Sequence, residues 1–477
     1  MKVLFINPPT PKNETWIREG RCQQFDIWGA PFPPLSLAMT AGQIKDMAQI
    51  ETLDCAPKKL KLEKVLEKIR SFNPDIIFLT VATPTIDSDL GWFARAVKNE
   101  MPQIKIAALG IHITALPKET LERFPSLDFV ISGEPEIIGR ELVNHLKTNE
   151  PKLSDILGLG FRERDKIIIN NQRPFIENLD DLEKPDWSGV DFKDYLMPII
   201  GRPFNLIVFS RGCPYNCRFC SAAAYYGKKI RQRSPEKIID EIEENMDRGI
   251  YDFLFWTESA TVDRKYLFSV LDKIIEEGLN KKIRWVSNSR VDFVDLEIFQ
   301  KMRKSGCWQI IFGIEFGSDQ ILKLANKGGE ATVAQAQTAA NLASEAGLAV
   351  DGHFILGFPG ENKETMKETI DLALKLPLTF AHFYMATPFP GSLLFIEARE
   401  RYWLREEDFS RVSQNEYSLK TGELSEELVS KMVASAYGKF YKRPIIFWRI
   451  LKLAKTPRQF LNLIKIGTKF IFDLYKK

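Results

Sequence analysis

No run of about eighteen uncharged apolar residues occurs in the 477-residue sequence, so it offers no ordinary membrane-spanning helix. The amino terminus, MKVLFINPPTPKNE, reaches a proline pair after an apolar run too short for a secretory signal core, and the expected location is cytoplasmic. Cysteine is scarce: six in a chain this long cannot make a disulfide scaffold. Long disorder and low-complexity repeats are excluded as well, because 44% hydrophobic and 27% charged residues lie near globular averages. At roughly 100 to 200 residues per domain, the length divides into two or three folded units.

The net charge of +3 conceals an asymmetry. Residues 439–477 hold eleven Lys or Arg against one acid, Asp473, so the tail is strongly basic and the remainder mildly acidic. On a helix, Arg458, Lys465, Lys469 and Lys476 share one stripe, while Phe460, Leu463, Ile464, Phe470, Ile471 and Leu474 occupy the opposite side. Pro444 and Pro457 stand where first helical turns accept proline. Such a helix suits peripheral contact with an anionic membrane, from which a lipid or other hydrophobic substrate would be drawn. A terminal helix packed on the body with its lysines in water is the alternative. Nucleic acid is not an expected partner, because no basic groove interleaved with aromatics accompanies the stripe.

From the start, β-rich runs alternate with amphipathic stretches: VLFINPP, ETLD, DIIFLTVA, IKIAALG and DFVISG, separated by patterns such as KLEKVLEKIRSF. This alternation predicts an α/β fold with a doubly wound parallel sheet over residues 1–150, binding its ligand beyond the strands' carboxyl ends. The loops there are NPPTPKN, ATPTIDS, GIHITALP and SGEPE. Residues 151–200 break the rhythm and read as a hairpin and a proline-bearing linker. Six further strand and helix units follow over 201–395, too few for a closed eight-fold barrel, and predict a partial (β/α)6 barrel with its site at the carboxyl mouth. Residues 396–477 read as helical.

The sharpest feature is SRGCPYNCRFCSA, where Cys213, Cys217 and Cys220 stand directly after a predicted strand. Three thiolates on one compact loop suit an iron-sulfur cluster with one iron left open. A structural zinc site takes four protein ligands, and no fourth Cys or His lies nearby, so zinc is the weaker reading. A chance group of buried cysteines is weaker still, since nothing draws such cysteines to a Gly-Cys-Pro loop. Cys22, Cys55 and Cys307 have no metal-like spacing.

The CxxxCxxC loop resembles that of the radical S-adenosylmethionine (SAM) superfamily, and NSRVDFVD, GIEFGSDQILKLANKG, HFILGFPGENKET and ATPFPGSLLF are similar to the subfamily with an amino-terminal cobalamin-binding domain. LFINPP, PPLSLAMTAG, FNPDIIFLTVATPT and DFVISGEPE extend the resemblance through the first domain, so that it covers residues 1 to about 395. It implies a 4Fe-4S cluster on the three cysteines, SAM chelating the open iron, and cobalamin over the first sheet. It places Phe219 against the adenine, and Glu258, Arg290 and Glu315 among the SAM contacts. Thr257 stands where the family often has a second acid, and Phe316 where the subfamily usually has Ser. In the first domain the implied cobalamin contacts are Pro8, Thr83, His112, Gly133 and Glu134. The loop after the first strand contains no histidine, so an axial imidazole from that loop is not expected. His112 reads as a capping or phosphate-contacting residue. Methylthio-transferring relatives carry a second three-cysteine cluster in the first domain, where this chain has only Cys22 and Cys55.

Three functions follow from the resemblance. The first is methyl transfer from cobalamin to an unactivated carbon, with a 5′-deoxyadenosyl radical and a flavodoxin- or ferredoxin-type electron donor. The second is oxidation, cyclisation or ring contraction with the same cofactors. A cobalamin sensor, the third, has no use for a cluster with an open iron.

Overall fold

The computed structural model describes residues 1–12, 14–19, 22–25, 31–327, 331–404, 409–457 and 459–464. Its first sheet contains β1 (Lys2–Asn7), and a separate antiparallel hairpin, β2 (Trp16–Glu19) with β3 (Cys22–Phe25), follows that strand. The sheet continues with β4 (Gln49–Asp54), β5 (Ile76–Thr80), β6 (Lys105–Leu109) and β7 (Phe129–Ile131). Two more strands, β8 (Leu159–Glu163) and β9 (Lys166–Ile169), complete it in the order β4-β1-β5-β6-β7-β8-β9. The first five run parallel, and β8 and β9 add antiparallel. The hairpin expected within residues 151–200 is thus an extension of the first sheet.

Helices cover both faces, so a strand such as IIFLT is buried along its whole length instead of alternating wet and dry. Ile138, Leu142 and Val143 of the helix Pro135–Thr148 pack on one face; Val65, Ile69 and Phe93 pack on the other. Pro135 sits in the first turn of that helix, and Asn149, left-handed at φ 62°, ends it. Chain order reverses at β1, between β4 and β5, which leaves a crevice at their carboxyl ends.

The second sheet starts at β10 (Phe204–Val208), followed by the short antiparallel pair β11 (Ser210–Arg211) and β12 (Arg231–Gln232). Then come β13 (Asp252–Trp256), β14 (Arg284–Ser289), β15 (Cys307–Glu315), β16 (Ala349–Leu356) and β17 (Phe380–Met385). Six strands, β10-β13-β14-β15-β16-β17, lie side by side and parallel in chain order, forming an open partial barrel. The exposed edge of β17 is closed by the helix Glu426–Tyr441. Tyr437 Oη accepts from the Phe383 amide, and Tyr441 Oη both accepts from the Ala381 amide and donates to the Ala381 carbonyl.

A last helix, Pro444–Leu451, has its proline in the first turn, as the sequence suggests. The basic stripe of Arg458, Lys465, Lys469 and Lys476 lies outside the described residues. Among the described residues, no helix is long and apolar enough to cross a membrane.

Candidate active site

The cysteine loop is a lasso. Pairing of β11 with β12 closes its base, and the Cys213 amide donates to the Gly227 carbonyl at 3.0 Å. Gly212 precedes the first cysteine at φ 97°, and a Cβ there would stand 2.1 Å from the Lys229 carbonyl oxygen, so only glycine fits. The Cys220 amide donates to the Cys217 carbonyl, and the Ala222 amide points at Cys220 Sγ, 3.5 Å away. Arg218 bolts the loop to the barrel: its guanidinium donates to the Leu324 carbonyl and pairs with Glu397, and its amide donates to the Ala325 carbonyl. All three cysteines are half-buried.

A structural zinc site takes four protein ligands, whereas three thiolates on one loop suit a polynuclear iron-sulfur cluster, whose sulfur ligands sit on different irons.

Beside the loop lies a cavity of about 250 Å³ at the barrel mouth. Phe219, Glu258, Arg290 and Glu315, four residues singled out from sequence, line it together with Cys220. Phe219 packs edge-on against Phe316. Glu258 follows β13, where the Asn288 amide group holds its carbonyl at 2.9 Å. Arg290 follows β14, braced by Asp292 and stacked over the Tyr215 ring at 3.9 Å. Glu315 ends β15 at a bulge, with a left-handed φ of 69° that a non-glycine residue adopts only under constraint. Its carboxylate pairs with Lys327 Nζ at 2.7 Å. Burial opposes the Lys327 charge, but Glu315 and Cys217 outweigh it and raise the ammonium pKa above its ordinary value. A Cβ at Gly313 would stand 2.5 Å from Glu315 Oε1 and 3.0 Å from Lys327 Nζ, so a side chain there would displace the charged ends of that pair. Two acids and two bases on one wall can bind a zwitterion, as the amino and carboxylate groups of SAM require.

Phe32, from the segment before the first helix, also lines this cavity, set edge-on to Phe204 and Trp256. The cavity therefore also receives a side chain from the amino-terminal part of the chain. The first-domain candidates stand elsewhere, at the carboxyl ends of β1, β5, β6 and β7. Pro8 is buried directly after β1. Thr83 Oγ1 lies 3.3 Å from His112 Nδ1. Burial, and secondarily Arg123, lowers the His112 pKa from 6.5 to about 3, so the ring is neutral, with its edge against Phe409. The Gly133 amide donates to Thr114 Oγ1, and open space lies where its Cβ would be. Glu134 accepts from Arg211, Arg231 and the Ile176 amide, and Glu136 also pairs with Arg211. Glu134 is thus occupied by a buried ion network that joins the first sheet to the base of the cysteine loop.

Two groups of residues were not legible in the sequence. Arg18 of β2 folds over the strand ends, paired with Asp89 at 2.8 Å and donating to Asn7, which in turn donates to Asp54. In the barrel, His353 joins the cavity wall, beside Lys327 of the GIEFGSDQILKLANKG segment that the sequence had already singled out.

Residues 207–373 match the Radical SAM superfamily, and residues 28–143 match the B12 binding domain. The chain is 32% identical over 445 residues to an uncharacterized methyltransferase of Pyrococcus horikoshii, spanning 93% of each chain. It belongs to the radical SAM superfamily. This radical SAM chain is also 29% identical over 465 residues to the anaerobic magnesium-protoporphyrin IX monomethyl ester cyclase of Cereibacter sphaeroides, covering 94% of this chain and 72% of the relative. The solved cobalamin-dependent SAM radical enzyme OxsB shares its fold at a TM-score of 0.73 and 17% identity, over 99% of this chain and 72% of that one. The radical SAM methyltransferase TsrM of Kitasatospora setae does so at 0.68 and 18%, over 84% and 78%.

The enzyme's cofactors are accordingly a 4Fe-4S cluster, SAM and cobalamin. The first sheet fits the last of these. Ser132 Oγ, at the carboxyl end of β7, is buried with no hydrogen-bond partner among the described residues, beside the open space at Gly133. A ligand bearing amide and phosphate groups would satisfy that hydroxyl.

Proposed function

We propose that this radical SAM enzyme methylates an unactivated carbon of a hydrophobic small molecule. When bound, the cluster, SAM and cobalamin supply a 5′-deoxyadenosyl radical and a transferable methyl group. The observation carrying the proposal is the cavity bounded by Phe219 and Cys220 on the cysteine loop and by Phe32 from the B12 side of the chain. Glu258, Arg290, Glu315 and Lys327 would fix the SAM methionine end. Leu254, Trp256, Ile311 and Ile355 give the same cavity apolar walls that keep water from a radical and favour an apolar substrate. Kinship with the Pyrococcus methyltransferase along nearly the whole chain supports the same reading.

The test is stoichiometric. Under a low-potential electron donor, each methylated product should consume two SAM, one leaving as S-adenosylhomocysteine and one as 5′-deoxyadenosine. Deoxyadenosine formed with substrate but without S-adenosylhomocysteine would overturn methyl transfer and favour cyclisation or oxidation. That second reading is supported by the identity with the Cereibacter cyclase.

A further inference from the structure

Below the cavity, the barrel lumen contains charge where small barrels are ordinarily filled by aliphatic side chains. In the parallel register of β16 and β17, His353 lies directly opposite His382. Asp351 is two residues before His353 and so shares its face of the sheet. That face is the lumen, since Ile355 and Tyr384, of the same parity on each strand, line the cavity. Asp351 is 4% exposed and His382 9%.

Asp351 Oδ1 is 3.8 Å from His353 Nε2, too far for a hydrogen bond, and Oδ2 is 3.4 Å from His382 Nε2, a long hydrogen-bonded pair. One nitrogen from each imidazole and one carboxylate oxygen all lie within 4.8 Å of one another. The edge of a ligand tetrahedron around an ion with bonds of about 2.1 Å is roughly 3.4 Å. Gln309 Nε2 donates to Asp351 Oδ2 at 3.0 Å and orients the carboxylate, as outer partners of metal ligands do. Asp351 Oδ1 is buried and has no hydrogen-bond partner among the described residues, an orphan acceptor aimed into the group.

We propose that Asp351, His353 and His382 form a binding site for one divalent transition-metal ion of the zinc class, separate from the cysteine cluster. Two imidazoles, one carboxylate and no thiolate suit such an ion, and three protein ligands leave a position for an outside donor. His353 is the member that lines the cavity, so that position is within reach of a bound molecule. The ion would anchor an oxygen or nitrogen of the substrate and orient the carbon to be altered. The site stands on its own residues and does not depend on which reaction the enzyme performs.

Zinc is the probe. Anaerobically reconstituted holoenzyme, with the cysteines occupied by cluster iron, is equilibrated with one equivalent of Zn²⁺, desalted and analysed for zinc, iron and sulfide. One zinc per chain should remain, with X-ray absorption showing nitrogen and oxygen ligands alone. The double variant His353→Ala/His382→Ala should retain at least about tenfold less zinc at unchanged iron and sulfide. His353→Cys should keep the zinc and add one sulfur ligand at about 2.3 Å, which gives a positive result even if the double variant folds poorly. Three results would each overturn the proposal: no zinc beyond trace in the holoenzyme, undiminished zinc in the double variant, or a wild-type zinc shell made of sulfur.

Discussion

His112 offers a direct thermodynamic test of how tightly the first sheet closes over its ligand side. The ring is 2% exposed, and burial lowers its pKa from 6.5 to about 3. Below pH 6.5 the unfolded chain takes up a proton that the folded chain refuses until about pH 3. The stability contributed by this ring is therefore complete above pH 6.5 and is lost as pH falls, at about 1.4 kcal/mol per unit. Between pH 7.5 and pH 5.0 the loss is about 2 kcal/mol. Other groups tilt the profile the other way: Glu361, raised to about 8 chiefly by burial, loses stability as pH rises from about 4.5 toward 8. The comparison must therefore be with a variant that deletes only this titration. His112→Gln retains a polar group near Thr83 and carries no proton. Chemical denaturation of the anaerobic holoenzyme, followed by tryptophan fluorescence at pH 7.5 and 5.0, should show wild type losing about 2 kcal/mol more on acidification than the variant. Equal losses in the two proteins would refute the assignment of His112 as a buried neutral ring.

Replacing any one of Cys213, Cys217 and Cys220 by Ala should abolish reductive SAM cleavage, measured as 5′-deoxyadenosine; cleavage surviving in one variant would remove that cysteine from the cluster. Arg211→Met strips the buried pair Glu134 and Glu136 of a shared cation whose side chain is 5% exposed, and should cost about 3–5 kcal/mol in denaturation midpoint experiments. A loss under about 1 kcal/mol would mean that Arg231 alone holds the junction. Binding to anionic vesicles should weaken with salt and vanish on deletion of residues 439–477, because Phe447 and Trp448 are more than half exposed beside Arg449 and Lys452. Equal pelleting of full-length and truncated protein would return the tail to a packing role.

The cysteine loop was legible because its chemistry is local. Three ligands within eight residues need only a short loop to converge, and their spacing survives any arrangement of the surrounding strands. Phe219, Glu258, Arg290 and Glu315 were reachable through the family resemblance of their segments, and each follows or ends a strand of one barrel, which delivers them to the same mouth. The alternation of apolar runs with amphipathic ones likewise specified both parallel sheets, since period and burial are properties of single segments. The hairpin of residues 159–169 was recognised as a hairpin, but its attachment to β7 depends on an edge that the local pattern does not describe.

What only the tertiary structure decided are the pairings between distant segments. Glu134 and Arg211 meet across 77 residues, and an ordinary acid after a strand became part of the joint between the two sheets. His353 and His382 meet because β16 and β17 align residue for residue after a helical crossover. A change of one residue in that register would put the second histidine on the opposite face. Sequence spacing carries chemistry only while the chain between ligands is too short to choose another path. Beyond that length, register and packing choose the neighbours, and in this protein they placed two imidazoles and a carboxylate together beneath a cavity that four sequence-assigned residues had already marked.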